Sequence, residues 1–145
     1  MWNRLRSIFV RRAPQDVIEY RPRRNSRADP GEVCWAWVPF EEDPSRGKDR
    51  PVLIVGTRGR RWLALMLTSK DHDAGAVQQR RDGVAIDRFG RHWLDIGTGQ
   101  WDREGRPSEV RLDRLLVLTS VRREGSAVDE ATFRRVVAAG QPLWS

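Results

Sequence analysis

Residues 31–69 read GEVCWAWVPF EEDPSRGKDR PVLIVGTRGR RWLALMLTS, and their alternation points to β structure. From Glu32 to Val38, Val33, Trp35 and Trp37 share one face while Cys34, Ala36 and Val38 share the other, which is the period of a strand. Pro39–Asp49 carries two prolines and a glycine among charged residues and reads as a polar loop. Pro51–Val55 is a continuous apolar run rich in β-branched residues, as expected of a strand buried on both faces. Gly59, within Thr57–Arg60, marks a short hairpin turn. The chain then returns over Arg61–Thr68, with Trp62, Ala64, Met66 and Thr68 on one face and Leu63, Leu65 and Leu67 on the other.

Working outward, Asp29-Pro30-Gly31 is turn chemistry, and residues 11–30 before it are rich in Arg and Pro with few apolar side chains. Residues 1–29 are therefore expected to be a basic, flexible leader and residues 30–145 the folded domain. Within the leader, a loosely ordered segment is preferred to a short helix presenting Trp2, Leu5 and Phe9 to a membrane or partner. After Thr68, residues 69–91 read as a long charged loop with at most a short strand over 83–86, and loops of that length are usually functional or mobile. Further short strands are expected at His92–Ile96, Glu109–Leu112 and Leu115–Leu118, with a Gly-rich connection over 97–107. A terminal helix follows: Asp129 is its N-cap, Phe133, Val136 and Val137 fall at helical spacing, and Gly140 closes it ahead of Pro142. The fold class is mainly β with a C-terminal helix, and close-spaced short strands suggest a small, strongly bent barrel.

Composition bounds the function. A chain of 145 residues, 39% apolar with seven tryptophans, suits one domain with one modest core. No stretch approaches the about 20 apolar residues of a membrane span, and arginines interrupt every apolar run in Met1–Arg12, so no signal-peptide core is expected. The single Cys34 lies in a strand pattern and is read as a buried thiol in a reducing cytoplasm. The net charge of +7 is concentrated in residues 1–29, where eight arginines face only Asp16, Glu19 and Asp29. Basic charge favours phosphate-bearing or acidic partners without naming one.

Much chemistry is excluded. The chain has no Gly-x-Ser-x-Gly elbow, no phosphate-binding Gly-Lys-Ser/Thr loop and no dinucleotide fingerprint. Two histidines and one cysteine cannot assemble a structural zinc site. Asp71-His72-Asp73 reads as a solvated loop in preference to a metal site, and a histidine-based relay finds little support. Chemistry is left to Arg, Thr, Ser and carboxylates. Asp49-Arg50-Pro51 leads into the buried run, and the proline forces Arg50 into an extended backbone, which pins a charged group beside a loop. Taken alone, Arg50 is an ordinary arginine pairing with Asp49 or Glu42, and Thr68 is an ordinary strand-end hydroxyl. Trp35, Trp37, Trp62, Trp93 and Trp101 are read as packing residues before base-stacking ones, least firmly Trp101 in its Gly-rich loop.

In combination these residues acquire a meaning. Gly31-Glu32-Val33, the loop with Pro44 and Gly47, Arg50-Pro51-Val52-Leu53-Ile54-Val55 and Leu67-Thr68 together resemble the PemK/MazF family of type II toxin–antitoxin ribonucleases. Arg111-Leu112-Asp113-Arg114-Leu115 looks like the family's penultimate strand and the helix after Asp129 like its last helix, so the resemblance spans residues 30–140. It implies an SH3-like barrel, a homodimer, and a cytoplasmic toxin that cleaves single-stranded mRNA without metal or cofactor. It also implies a cognate antitoxin that occupies the RNA groove, operator DNA bound when the two are in complex, and no membrane. The family's functional Arg corresponds to Arg50 and its functional Thr to Thr68.

Cleavage without metal uses the ribose 2′-OH as nucleophile, so an enzyme must align it and stabilise charge on phosphorus. A forked guanidinium at Arg50 suits that task, with the Thr68 hydroxyl orienting the 2′-OH. Glu41, Glu42 or Asp49 are the candidate proton acceptors, and Lys48, Ser69, Lys70 and Trp101 the candidate RNA contacts. Two other readings compete: a non-catalytic nucleic-acid-binding or regulatory barrel, and a toxin of the same barrel class that poisons a protein such as gyrase.

Overall fold

In a computed structural model, residues 15–23 and 27–144 are described. Ten strands and one α-helix make up these residues: β1 (Asp16–Ile18), β2 (Glu32–Pro39), β3 (Gly47–Arg58), β4 (Arg61–Thr68), β5 (Ala76–Gln79), β6 (Ala85–Asp87), β7 (His92–Gly97), β8 (Ser108–Arg111), β9 (Leu116–Leu118), β10 (Arg122–Ala127) and α1 (Glu130–Gly140). All pairings are antiparallel, in the order β10-β2-β3-β4-β8-β7-β6-β5, with β1 added to β3 and β9 to β4. The expected mainly-β class with a C-terminal helix is therefore present. No helix among the described residues is long and apolar enough to cross a membrane.

The apolar run 52–55 is buried on both sides because the central hairpin separates two cores. On one face Val33, Leu53, Val55, Leu63, Leu65 and Leu67 pack with Leu94, Val110 and Leu112 beneath Phe133 and Val136 of α1. On the other, Cys34, Ala36, Val38, Val52, Ile54, Trp62 and Ala64 meet Leu116 and Leu118. Burial, with Glu32 nearby, pushes the Cys34 thiol up to about 12, so it is an inert packing group, as its strand position suggested. Asp129 caps α1 by accepting a hydrogen bond from the Thr132 amide at 2.7 Å.

Strand β4 changes partners along its length. Trp62, Leu63 and Ala64 pair with β9, whereas Leu67 and Thr68 pair with β8. Its ladder with β3 ends at Val52↔Met66, so β3 and β4 part beyond that point. Lys48–Pro51 keeps a partner only on the β2 side, where Trp35 faces Pro51 and Ala36 faces Arg50. A proline without its N–H is tolerated there because the strand has a neighbour on one side only.

Several expectations are corrected. Strand β3 begins at Gly47, so Gly47, Lys48 and Asp49 belong to the strand and not to the loop before it. The folded region begins well before residue 30. Asp16–Ile18 pairs with Arg58–Gly56, the Tyr20 hydroxyl donates to the Val128 carbonyl at 2.7 Å, and Ala28 is buried. A few apolar anchors were enough to dock a segment whose composition is polar and rich in arginine. Trp2, Leu5 and Phe9 lie outside the described residues. The charged stretch 69–91 is largely ordered, with a 3₁₀ turn at Asp73–Gly75 and the β5–β6 hairpin. Strand β10, Arg-Arg-Glu-Gly-Ser-Ala, was not expected from so polar a sequence; it is held by backbone pairing to β2 around a bulge at positive-φ Gly125. Gly140 is a right-handed residue of the last turn and not a left-handed cap. The chain continues into a 3₁₀ turn, and the Trp144 ring lies 2.6 Å from where a Cβ on Gly140 would sit.

A cationic cleft as the candidate functional site

Two of the predicted residues, Arg50 and Thr68, lie just past the end of the β3–β4 ladder. Val52 is opposite Met66 and Ile54 opposite Ala64. Two residues past the last pair, Arg50 and Thr68 fall by strand alternation on the same side of the sheet as Val52 and Met66. Since the strands part there, the space between them is not closed by a ladder. It opens as a cleft of about 220 Å³ whose walls include Arg50, Thr68, Glu41, Lys70, Arg111 and Arg114.

Thr68, 9% exposed, lies at this cleft with its hydroxyl accepting a hydrogen bond from the Lys70 amide at 3.2 Å. Arg50 is half-buried, and its guanidinium has no hydrogen-bond or ion-pair partner among the described residues. The ordinary pairing expected from sequence does not form. Asp49, one residue away, points to the opposite face and binds Arg122, Oδ2 to Nη2 at 2.7 Å. A partly desolvated guanidinium without a carboxylate is a group that costs stability unless an anion completes it.

The opposite wall is built by a network. Arg111, nearly buried, donates to both carboxylate oxygens of Glu41 and to Asp113 at 2.9 and 3.1 Å. Burial alone would lower the Arg111 pKa, but the hydrogen bonds to Glu41 and Asp113 reverse it and hold the group above its ordinary value. The Arg111 hydrogen bonds keep the Glu41 carboxyl below the usual carboxylate range. Arg114 donates to the Pro39 carbonyl at 2.7 Å. Burial, reinforced by Arg111 and Arg50 against the opposing pull of Glu41 and Glu42, draws the Arg114 pKa down. In all, Arg50, Lys70, Arg91, Arg111 and Arg114 line the cleft against the carboxylates of Glu41 and Glu42 alone among the described residues. The electrostatics favour a phosphate-like ligand.

His72 also lines this cleft. Its ring stacks on Trp93 with centroids 3.8 Å apart and planes 2° from parallel, and the Trp93 indole donates to Asp87 at 3.1 Å. Its backbone amide is held by the Glu109 carboxylate at 3.1 and 3.2 Å. Burial lowers the His72 pKa, with Lys70 and Arg91 adding to it and Asp87 and Asp71 opposing. Behind the loop, Asp71, Asp73 and Glu109 bring carboxylate oxygens within 4.8 Å of one another. Burial, then Asp73 and Asp95, push Glu109 up to about 8. Asp73 rises as well through burial and Asp95.

This cluster yields a pH prediction. Unfolded, Glu109 ionises near its ordinary value of 4.5, whereas folded it holds its proton to about 8. Between those values the folded state binds more protons than the unfolded state, so stability declines as pH rises from about 4.5 to 8. Glu109→Gln is expected to flatten that decline. Urea denaturation at pH 6 and pH 8 measures it, and an equal drop in both proteins would remove Glu109 as its source.

The remaining predicted residues divide. Glu41, Glu42 and Lys70 join Arg50 and Thr68 at the cleft, while Lys48, Asp49 and Ser69 do not line it. Trp101 lines a separate hollow beside the start of α1, with its indole donating to Ser108 at 3.0 Å. It packs against the core and does not share the cleft. Sequence reasoning missed His72, Arg91, Arg111 and Arg114. His72 lies on the loop just past Thr68, and the pair Arg111 and Arg114 flanks Leu112 in a strand-like run, yet nothing local to either indicates a common site. No protein-family model matches the chain, and no match is found among curated proteins or solved structures.

Proposed function

We propose that this protein is the toxin of a type II toxin–antitoxin pair, a metal-independent endoribonuclease that cleaves single-stranded RNA by attack of a 2′-OH on the adjacent phosphate. One observation carries the reading: Arg50, whose guanidinium has no partner among the described residues, and Thr68 line one cationic cleft. Arg50 stabilises charge developing on the phosphoryl oxygens, and Thr68 orients the attacking ribose. Arg114 and Lys70 hold neighbouring phosphates. The sheet order supports an SH3-like barrel: β9 and β10, at opposite ends of β9-β4-β3-β2-β10, are joined by residues 119–121 alone. On this reading the protein works as a homodimer in the cytoplasm, and a cognate antitoxin silences it by filling the cleft with its own acidic groups, the complex then binding operator DNA.

The purified protein is expected to cut single-stranded RNA in the presence of EDTA, leaving 2′,3′-cyclic phosphate and 5′-hydroxyl ends. Salt-sensitive RNA binding without any cutting would replace this reading with the non-catalytic one. Growth arrest with cellular RNA intact would favour a protein target.

A further inference from the structure

The 2′-OH must lose a proton as it attacks, and the cleft's carboxylates are poorly placed to take it. Glu41 is locked by two hydrogen bonds from Arg111. Asp49 belongs to Arg122 outside the cleft. Glu42 is solvent-exposed and held by no hydrogen bond or ion pair among the described residues, so nothing fixes its geometry. An arginine keeps its own proton and cannot serve.

His72 differs on each count. Its backbone is tied to Glu109, its ring is clamped flat on Trp93, and that indole is in turn anchored by Asp87. Neither ring nitrogen has a hydrogen-bond partner among the described residues, and His72 lines the same cleft as Arg50 and Thr68. We infer that His72 is a further catalytic residue, the general base that accepts the 2′-OH proton at the site assigned above. The inference rests on the nuclease reading and adds a named group to it. As the O2′–P bond forms and the P–O5′ bond breaks, the proton passes from O2′ to the imidazole. The departing 5′-oxygen takes a proton from water, and the imidazolium then releases its own to solvent.

The charged groups around the ring agree with that role. Asp87 of β6 lies behind the Trp93 stack, Glu109 of β8 holds the backbone, Arg91 precedes β7, and Lys70 and Asp71 flank the ring on its own loop. Burial with Lys70 and Arg91 outweighs Asp87 and Asp71, so the imidazole is neutral at neutral pH and free to accept.

His72→Phe keeps a flat ring for Trp93 and removes the acceptor. It is expected to lower the kcat of RNA cutting by about 10²-fold or more with KM little changed, and to erase the acid limb of the pH–rate profile. His72→Gly should regain part of its rate with added imidazole. Full activity in His72→Phe with an unchanged acid limb would overturn the assignment. Arg50→Ala measured alongside separates the two levels. Wild-type cutting that Arg50→Ala abolishes and His72→Phe leaves intact sinks only the His72 inference, whereas a wild-type protein that cuts nothing sinks the nuclease reading with it.

Discussion

Arg50→Ala is expected to reduce RNA cutting by about 10²–10³-fold, the usual cost of removing one donor from a developing oxyanion, while leaving stability unchanged or slightly raised. The second half of the expectation is the unusual one. Removing an arginine that holds a carboxylate leaves that carboxylate uncompensated. Arg50 holds none among the described residues, and its charge bears on Arg114 in the same cleft. Truncation therefore breaks no ion pair and relieves a repulsion. Rate loss at constant or higher stability is the signature of a group retained for function against folding. Cleavage rates and urea midpoints on the same preparations measure both quantities. A variant that cuts at the wild-type rate removes Arg50 from the site, and one that loses activity only in proportion to lost stability makes it a structural residue.

The central strands were legible because burial on two faces leaves a mark that cannot be mistaken for a loop: four apolar residues in a row at 52–55, then an apolar run over 62–67 with leucine at every second position. That alternation also oriented Thr68 correctly, opposite Leu67. What lay on one-sided or edge strands was illegible. Strand β10 is stabilised by hydrogen bonds to β2 and by the Arg123–Glu32 pair at 2.9 Å, neither of which requires apolar side chains. Asp16–Ile18 has only Val17 and Ile18 as apolar residues, too short a stretch for any period to show. The site was legible to the extent that it sits on the hairpin. Arg111 comes from the end of β8 and Arg114 from just beyond it, both far along the chain from Thr68, and His72 comes from the loop after β4. Pairing of β8 with β4 brings the first two to Arg50, and no local pattern announces such a pairing.

Arg111→Met is expected to show the opposite behaviour to Arg50→Ala, losing about 3 kcal/mol of stability, at the low end of the cost of breaking a buried ion pair. The side chain is 7% exposed and serves two carboxylates, Asp113 at 21% and Glu41 at 40% exposure. Methionine fills a similar volume but leaves both acids without their cation. The cost stays near the low end because Glu41 reaches solvent and Arg91 lies 3.7 Å from it, while Asp113 still accepts the His92 amide at 2.9 Å. The pH dependence follows from the direction of the shifts. Burial would raise Asp113, but the Arg111 hydrogen bonds and the His92 amide outweigh it, and Arg111 likewise holds Glu41 down. Both folded pKa values lie below the unfolded ones, so the stabilisation is complete above the unfolded values and is lost as pH falls through the folded ones. The gap between wild type and Arg111→Met should therefore be full near neutral pH and shrink on acidification through the carboxylate range. Urea denaturation across that range tests it, with Asp113→Asn combined with Arg111→Met costing less than the two changes added separately. A gap that does not change with pH would mean that Arg111 contributes by packing alone. The same network holds Glu41 in the cleft wall shared with Arg50 and Thr68, which is why one arginine can serve the fold while the other has no partner among the described residues.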